Sequence, residues 1–369
     1  MSRSRSFSWS FMPLTQVEPQ THMQREILSQ PECWHECLTS LESDPVIDAI
    51  SGGTDPEAEW LFIGCGTSYY LAISAAASFS TICGHPARAV PASEILLFPA
   101  TVTDRNKVAV LISRSGRTSE AVKALEAMNQ RGNVKTITVT CASDSAFVSR
   151  GHFPILLAAA YEQSTVMTRS FSSMLLCLQF LAAKLAKDEA LCAELKHLPR
   201  LAQPLFENAP EQVQNFVARH DFEDYVFLGQ GPFYGIACES ALKVMESSCS
   251  YAQSFHTLEF RHGPKSIAGP KTLVGFFISD SGYAAEVDLL EEVKDLGSKT
   301  FVITPKSELR LQSAADLVIE VPRFGAECTR LAACIPWAQL LGLYTGLKKG
   351  LNPDSPRNLS QVVILDETF

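Results

Sequence analysis

The sequence predicts an α/β protein made of two tandem, doubly wound parallel-sheet domains. Two observations carry the prediction. Short buried strands alternate with helical stretches, and this requires parallel strands covered by helices on both faces. The chain also repeats itself: YVFLGQG (225–231) answers LFIGCGT (61–67), ISDSGYAAE (278–286) answers ISRSGRTSE (112–120), and KTFVIT (299–304) answers KTITVT (135–140). The matched residues Gly64 and Gly229, Gly116 and Gly282, Val139 and Ile303 stand 165, 166 and 164 positions apart. So constant an offset marks two copies of one unit. The expected organisation is an N-terminal arm and helix over 1–40, a first unit over 41–195, a second over 196–350 and a tail over 351–369. A polar, proline-containing helical segment around 185–217 joins the units.

In chain order, residues 1–20 read as a disordered or weakly docked arm. A helical pattern starts at His22 and runs through Trp34 and Leu38, with a kink near Pro31. Glu59–Gly64 is an apolar strand entering a glycine turn, and an alanine-rich helix follows over Tyr69–Phe79. Val108–Ser113 is a second strand, turning through 114–120 into a helix over Ala121–Met128. Val134–Thr140 and Phe153–Leu157 are further strands, and Thr165–Leu185 is a long helix. In the second unit, the apolar run beginning at Asp224 ends in glycines and launches a helix through Glu246. That helix gives way to a loop ending at Arg261-His262-Gly263-Pro264.

Composition excludes several functions. With 46% hydrophobic and 19% charged residues over 369 positions, the chain builds a large core. A net charge of −9 and a pI near 5.5 argue against a nucleic-acid surface. The eleven cysteines are scattered without a C-x-x-C pair or a partner set for zinc, so a reducing cytoplasm and no metal are expected. No secretory signal is read at the N-terminus, and no run approaches the roughly 18 apolar residues of a membrane helix. A soluble, cytoplasmic protein without a membrane partner follows. No cofactor is expected either, because Gly64-Cys-Gly66-Thr67-Ser68 lacks the third glycine of a dinucleotide turn and no phosphate-hydrolysing loop motif occurs.

Two stretches carry chemistry. Ser113, Ser115 and Thr118 lie between a strand's carboxyl end and a helix N-terminus, where open parallel sheets bind ligands. Unpaired helix N–H groups and hydroxyls there favour an anion. Simple helix capping would need one hydroxyl, not three. Arg114 and Arg117 sit poorly at a helix's positive end unless something anionic is near. The second stretch is the helix carrying Glu239, Lys243 and Glu246 at i, i+4 and i+7, which share one face, followed by the loop histidine His262. On spacing alone, a solvated polar face with a turn histidine describes it equally well.

Together these motifs resemble the sugar isomerase (SIS) domain family, whose domains are flavodoxin-like. The resemblance rests on Gly64-Cys-Gly66-Thr67-Ser68, Ser113-Arg-Ser115-Gly116-Arg-Thr118, Glu239-Ser-Ala-Leu-Lys243-Val-Met-Glu246 and Arg261-His262-Gly263-Pro264. A tail, Asp354-Ser-Pro356-Arg357-Asn358-Leu359, is similar to that of the isomerase half of glucosamine-6-phosphate synthase. The helix and loop stretches look closer to tagatose-6-phosphate ketose/aldose isomerases and galactosamine-6-phosphate deaminases.

The resemblance implies a sugar-6-phosphate aldose/ketose isomerase, acting on a phosphorylated hexose or hexosamine and releasing ammonia from the latter. Ser68, Ser113, Ser115 and Thr118 would hold the phosphate, with Thr67 beside them. Glu246 would move a proton between C1 and C2. His262 would open the ring from a neighbouring subunit, which implies a homodimer with shared sites. Lys243 and Glu239 would line the same site. The synthase's tail lysine is replaced by Gln361, so no Schiff base from the tail is expected, nor is amidotransfer from glutamine. Tyr283, Ala284 and Ala285 replace Arg117, Thr118 and Ser119, so the second loop reads as degenerate. A fructosamine-phosphate deglycase and a non-catalytic sugar-phosphate regulator remain as alternatives.

Overall fold

The computed structural model describes residues 21–55, 58–102 and 107–365. The expected arm over 1–20 lies outside them. Helices α1 (His22–Leu28), α2 (Gln30–Glu42) and α3 (Val46–Gly53) precede the first sheet. The helical pattern breaks at Ser29, and Pro31 sits in the first turn of α2, where its missing N–H costs nothing.

The first unit runs β1 (Glu59–Gly64), α4 (Thr67–Cys83), β2 (Ala87–Pro91), α5 (Ala92–Leu97), β3 (Lys107–Ile112), α6 (Ser119–Asn129), β4 (Val134–Thr140), α7 (Ala146–Arg150) and β5 (Phe153–Leu156). Then come α8 (Arg169–Leu185) and α9 (Glu189–Arg219). The second unit runs β6 (Asp224–Gly229), α10 (Phe233–Ser248), β7 (Tyr251–Phe255), β8 (Thr272–Phe277), α11 (Tyr283–Asp295), β9 (Lys299–Thr304), α12 (Leu309–Ala314), β10 (Leu317–Glu320) and α13 (Leu331–Lys348).

Both sheets are wholly parallel, with orders β2-β1-β3-β4-β5 and β7-β6-β8-β9-β10. Each is the order 2-1-3-4-5, so the sequence repeat is a structural repeat. In each sheet the connections diverge between the first and third strands, which opens a crevice at their carboxyl ends.

Alternation along β1 shows how the layers form. Trp60 and Phe62 face a core shared by both units, whereas Leu61 and Ile63 face α6 and its neighbours on the far side. Val226 and Leu228 in β6 face the second unit's outer helices in the same way. The shared core holds Trp34, Phe171, Phe180, Phe233 and Trp337, so the two sheets close on one set of central helices.

At the centre α4 crosses α10. A Cβ at Gly235 would collide with Tyr70 O and Ser74 Oγ, and Ser74 Oγ donates to Pro232 O at 2.7 Å. Only a residue without a side chain permits this approach. It brings the first turn of α4 beside the polar face of α10.

Several elements go beyond the sequence reading, β2 and β7 among them. Strand β2 was not predicted because its residues are mostly half-buried and supply no continuous apolar run. Strand β7 occupies part of what reads as loop, for the same reason at the equivalent edge of the second sheet. The segment around 185–217, read as helical, lies largely within α9, which is 31 residues long and buries Leu191, Leu195, Leu198, Ala202, Val213 and Phe216. The expected boundary at 195/196 lies inside it. No described helix is long and apolar enough to cross a membrane.

Candidate active site

The first loop is shaped by Gly116, whose φ of +57° belongs to the left-handed region and whose position leaves no room for a side chain against Ser145 and Thr140. This turn directs the loop's hydroxyls to one side. Ser113 Oγ accepts the Gly116 N–H at 3.1 Å and Ser115 Oγ accepts the Arg117 N–H at 3.2 Å. Each hydroxyl therefore keeps its own proton for another acceptor. Thr118 occupies the N-cap of α6 but makes no side-chain cap hydrogen bond, so capping does not consume its hydroxyl.

These groups line a cavity of about 190 Å³ at the β1/β3 crevice, together with Thr67, Ser68, Arg114, Thr165, Met167 and, from α10, Glu246. Ser360, Gln361 and Val363 of the tail complete it. Six of the predicted residues, Thr67, Ser68, Ser113, Ser115, Thr118 and Glu246, thus meet in one hollow although they come from both units. A larger hollow of about 440 Å³ lies next to it, sharing Arg114, Ser115 and Gln361.

Behind Glu246 the polar face of α10 is a closed charge cluster. Lys243 is fully buried; its ammonium donates to Thr67 Oγ1 at 3.1 Å and to a Glu246 carboxylate oxygen, and pairs with Glu239 Oε1 at 3.2 Å. An ammonium has three protons, and these three acceptors take them all. Thr67 also donates to Glu239 Oε1 at 3.3 Å, so its hydroxyl is turned toward the cluster.

Burial pushes the Glu239 carboxyl up to about 8; Lys243 opposes the shift and Glu246 adds to it. Its Oε2 is buried without a hydrogen-bond partner, as suits a carboxyl that gains little by ionising. Burial disfavours the Lys243 ammonium, yet Glu239 and Glu246 outweigh it and hold Lys243 above the ordinary lysine value.

The structure keeps His262 apart from this hollow. It is exposed at the end of a short turn, and its ring makes no hydrogen bond among the described residues. Its neighbours Arg261 and Lys265 pair with Glu292 at 2.9 and 2.8 Å, which fixes the histidine's loop to α11.

The loop arginines find their anions within the protein. Arg114 is almost fully buried; it pairs with Glu162 at 3.3 Å and donates to the carbonyls of Ser164, Thr165 and Gln361 at 3.1, 3.0 and 3.1 Å. Arg117 pairs with Asp144. Neither guanidinium needs a ligand to explain it, contrary to what helix polarity alone suggests.

Arg114 instead ties the phosphate-type loop to the wall at 162–165 and to the tail. Asp354 anchors the other end of that tail by capping α1 through the N–H groups of His22 and Met23 at 2.8 and 2.9 Å. The wall residues Glu162, Thr165 and Met167 were not picked out from sequence. The one available signal was that Glu162 and Glu327 also stand 165 positions apart.

The sequence model of the SIS domain family matches residues 56–184 and 223–326, one stretch in each unit. The glutamine–fructose-6-phosphate aminotransferase (isomerizing) of Acidithiobacillus ferridurans is 28% identical over 385 residues, covering 99% of this chain and 62% of the relative. The chain thus spans less than two thirds of that relative's length. The crystal structure of glucosamine-6-phosphate deaminase from Thermotoga maritima superposes with a TM-score of 0.77 at 28% identity, covering 94% of this chain and 100% of that one. Tagatose-6-phosphate ketose/aldose isomerase from Escherichia coli, at 22% identity, shares the fold with a TM-score of 0.82 over 94% and 97% of the two chains.

Proposed function

The chain belongs to the SIS domain family, and from that premise we propose that it is a sugar-6-phosphate aldose/ketose isomerase whose substrate is an amino sugar phosphate, deaminated as the ketose forms. The observation that carries this reading is the single cavity lined by Ser113, Ser115 and Thr118, whose hydroxyl protons are uncommitted, and by Glu246. One part of the lining suits a phosphate and another supplies a carboxylate. The likeness over the whole chain to a glucosamine-6-phosphate deaminase supports the amino sugar as substrate.

The phosphate rests on Ser68, Ser113, Ser115 and Thr118 at the N-terminal end of α6. The open-chain sugar extends toward Glu246. Glu246 removes the proton from C2 of the 2-amino aldehyde, and the electron pair forms the C1–C2 double bond of an enolamine as the C1=O π bond opens and O1 takes a proton from water. The same carboxyl returns a proton to C1, giving a C2 imine. Water adds at C2 and ammonia leaves, so the product is the ketose 6-phosphate. Proton transfer by a positioned base is worth about 10²–10⁴-fold. Lys243 orients and charge-balances Glu246 without reaching the substrate, since all its protons are engaged. Glu239 shares the ammonium from the buried side of the cluster. His262, exposed on its loop, opens the sugar ring in the cavity of a second copy of the chain.

The deciding experiment incubates the full chain with hexosamine 6-phosphates and measures ammonia and ketose together. Equal amounts of both are expected, and Glu246→Gln should lose the activity. Ketose without ammonia would reduce the function to isomerisation. Turnover of a fructosamine 6-phosphate alone would make it a deglycase. Binding without any turnover would make it a regulator.

A further inference from the structure

The second unit's loop, Ser279 to Tyr283, is the structural counterpart of Ser113 to Arg117: each joins the third strand of its sheet to the next helix, α11 or α6. From sequence this loop reads as degenerate, yet its donors are present and are occupied. Ser279 donates its N–H at 2.7 Å and its hydroxyl at 3.1 Å to Glu286 Oε2. The Asp280 N–H and the Ser281 hydroxyl each reach a Glu327 oxygen at 2.7 Å, and the Ser281 N–H lies 3.4 Å from the same carboxylate. Groups that would receive a phosphate oxygen here hold carboxylates of the chain itself.

The two units differ in where one pair of charges goes. Glu327 corresponds to Glu162 by the repeat offset of 165 positions. Glu162 does not occupy its loop's serine hydroxyls: it accepts the Thr168 N–H at 2.7 Å and the Ser170 N–H at 3.1 Å at the start of α8, and pairs with the loop's Arg114 side chain. In the second unit Arg114 is replaced by Asp280, which pairs at 2.7 Å with Arg330 at the head of α13. Arg330 is fully buried, its Nε has no partner, and its Nη2 donates to Ile278 O at 3.4 Å, so the guanidinium is aimed at the loop. Positive charge therefore lies beyond the second loop, and Glu327 bridges the two.

We propose that the second loop is an anion-binding loop permanently filled by Glu327, so that each chain takes a phosphorylated ligand at the first loop alone and uses the second to clamp the start of α13 onto its sheet. α13 in turn backs α10, so the filled loop supports the helix that carries Glu246.

The test uses the full chain with inorganic phosphate as probe, read by the phosphate-induced rise in melting temperature and by phosphate-soaked crystals. Ser281→Ala should leave the rise of the unaltered protein unchanged. Glu327→Ala should enlarge it and show phosphate at residues 279–282, and adding Ser281→Ala should cancel that gain. The proposal is overturned if Ser281→Ala alone diminishes the rise, because the loop would then already be open. It is equally overturned if folded Glu327→Ala shows neither the gain nor the bound phosphate. Should Glu327→Ala fail to fold, Glu327→Gln takes its place in the same comparison, and the Ser281→Ala arm stands by itself.

Discussion

Lys243 Nζ lies 3.1 Å from Thr67 Oγ1, so the ammonium at the centre of the second unit's helix is held by a hydroxyl from the first unit. The two residues are 176 positions apart and belong to the equivalent helices α10 and α4. The contact makes the charge cluster a joint between the units as well as a support for Glu246.

Removing that ammonium strands the Glu246 carboxylate beside the buried Glu239 carboxyl with no cation between them. Lys243→Met should destabilise the protein by roughly 3–5 kcal/mol, the usual cost of breaking a buried pair from one side. Urea denaturation measures it. Lys243→Met combined with Glu239→Met should recover part of the loss, because a buried polar carboxyl left without its partner is gone.

Stability should fall as pH rises from about 4.5 to about 8 through Glu239, whose carboxyl burial pushes up to about 8. In that window the unfolded chain has released the proton and the folded chain retains it, so a rising pH favours unfolding. Below the unfolded value both states are protonated and the contribution is fully present. Burial of Glu286 pushes it up to about 7, which acts in the same direction. Glu239→Gln should flatten the decline measured by denaturation between pH 5 and 8; an unchanged slope would place its origin elsewhere.

Gly235→Ala should force α4 away from α10. Overpacking at such a crossing costs about 1–3 kcal/mol. The melting temperature should fall. Activity should fall further than stability alone explains, since the phosphate wall and Glu246 sit on opposite sides of the joint.

Arg114→Met removes the side chain that joins loop, wall and tail, and strands the buried Glu162. Protease cleavage within residues 360–365 should accelerate, and kcat/KM should drop by about 10²-fold, the scale of a 1 Å misplacement at a reacting site. Cleavage at the unaltered rate would show that the tail is held by other contacts, such as Ser119 N–H to Val363 O at 3.2 Å.

If His262 serves a second copy's cavity, His262→Ala and Glu246→Gln chains should be inactive separately and complement each other when mixed. Random pairing into symmetric dimers would restore about a quarter of the sites. No recovery on subunit exchange would confine His262 to its own chain or to another role.

Much of the site was legible in the sequence because its signals are local. Ser113, Ser115 and Thr118 are spaced around a glycine turn, and Glu239, Lys243 and Glu246 recur at helical intervals; both patterns survive without knowing what packs against them. Edge strands β2 and β7 were not legible, since half-buried residues at a sheet edge carry no continuous apolar run. The direction of Arg114 was not legible either, because its acceptors include the carbonyls of Ser164, Thr165 and Gln361, and backbone groups leave no residue-type signature.

Sequence by itself determined that two copies of one parallel α/β unit exist, that the first carries a hydroxyl-rich turn, and that one helix of the second carries two carboxylates and an ammonium on one face. Repetition and periodicity are properties of neighbours along the chain. Only the tertiary structure decided that the turn and the helix face one cavity, that Thr67 completes the coordination of Lys243, and that the second loop is filled by Glu327. Each of these depends on the close crossing of α4 and α10 or on the placement of the segment before α13. Such long-range contacts are set by packing in the shared core, where side chains far apart in the chain fit together.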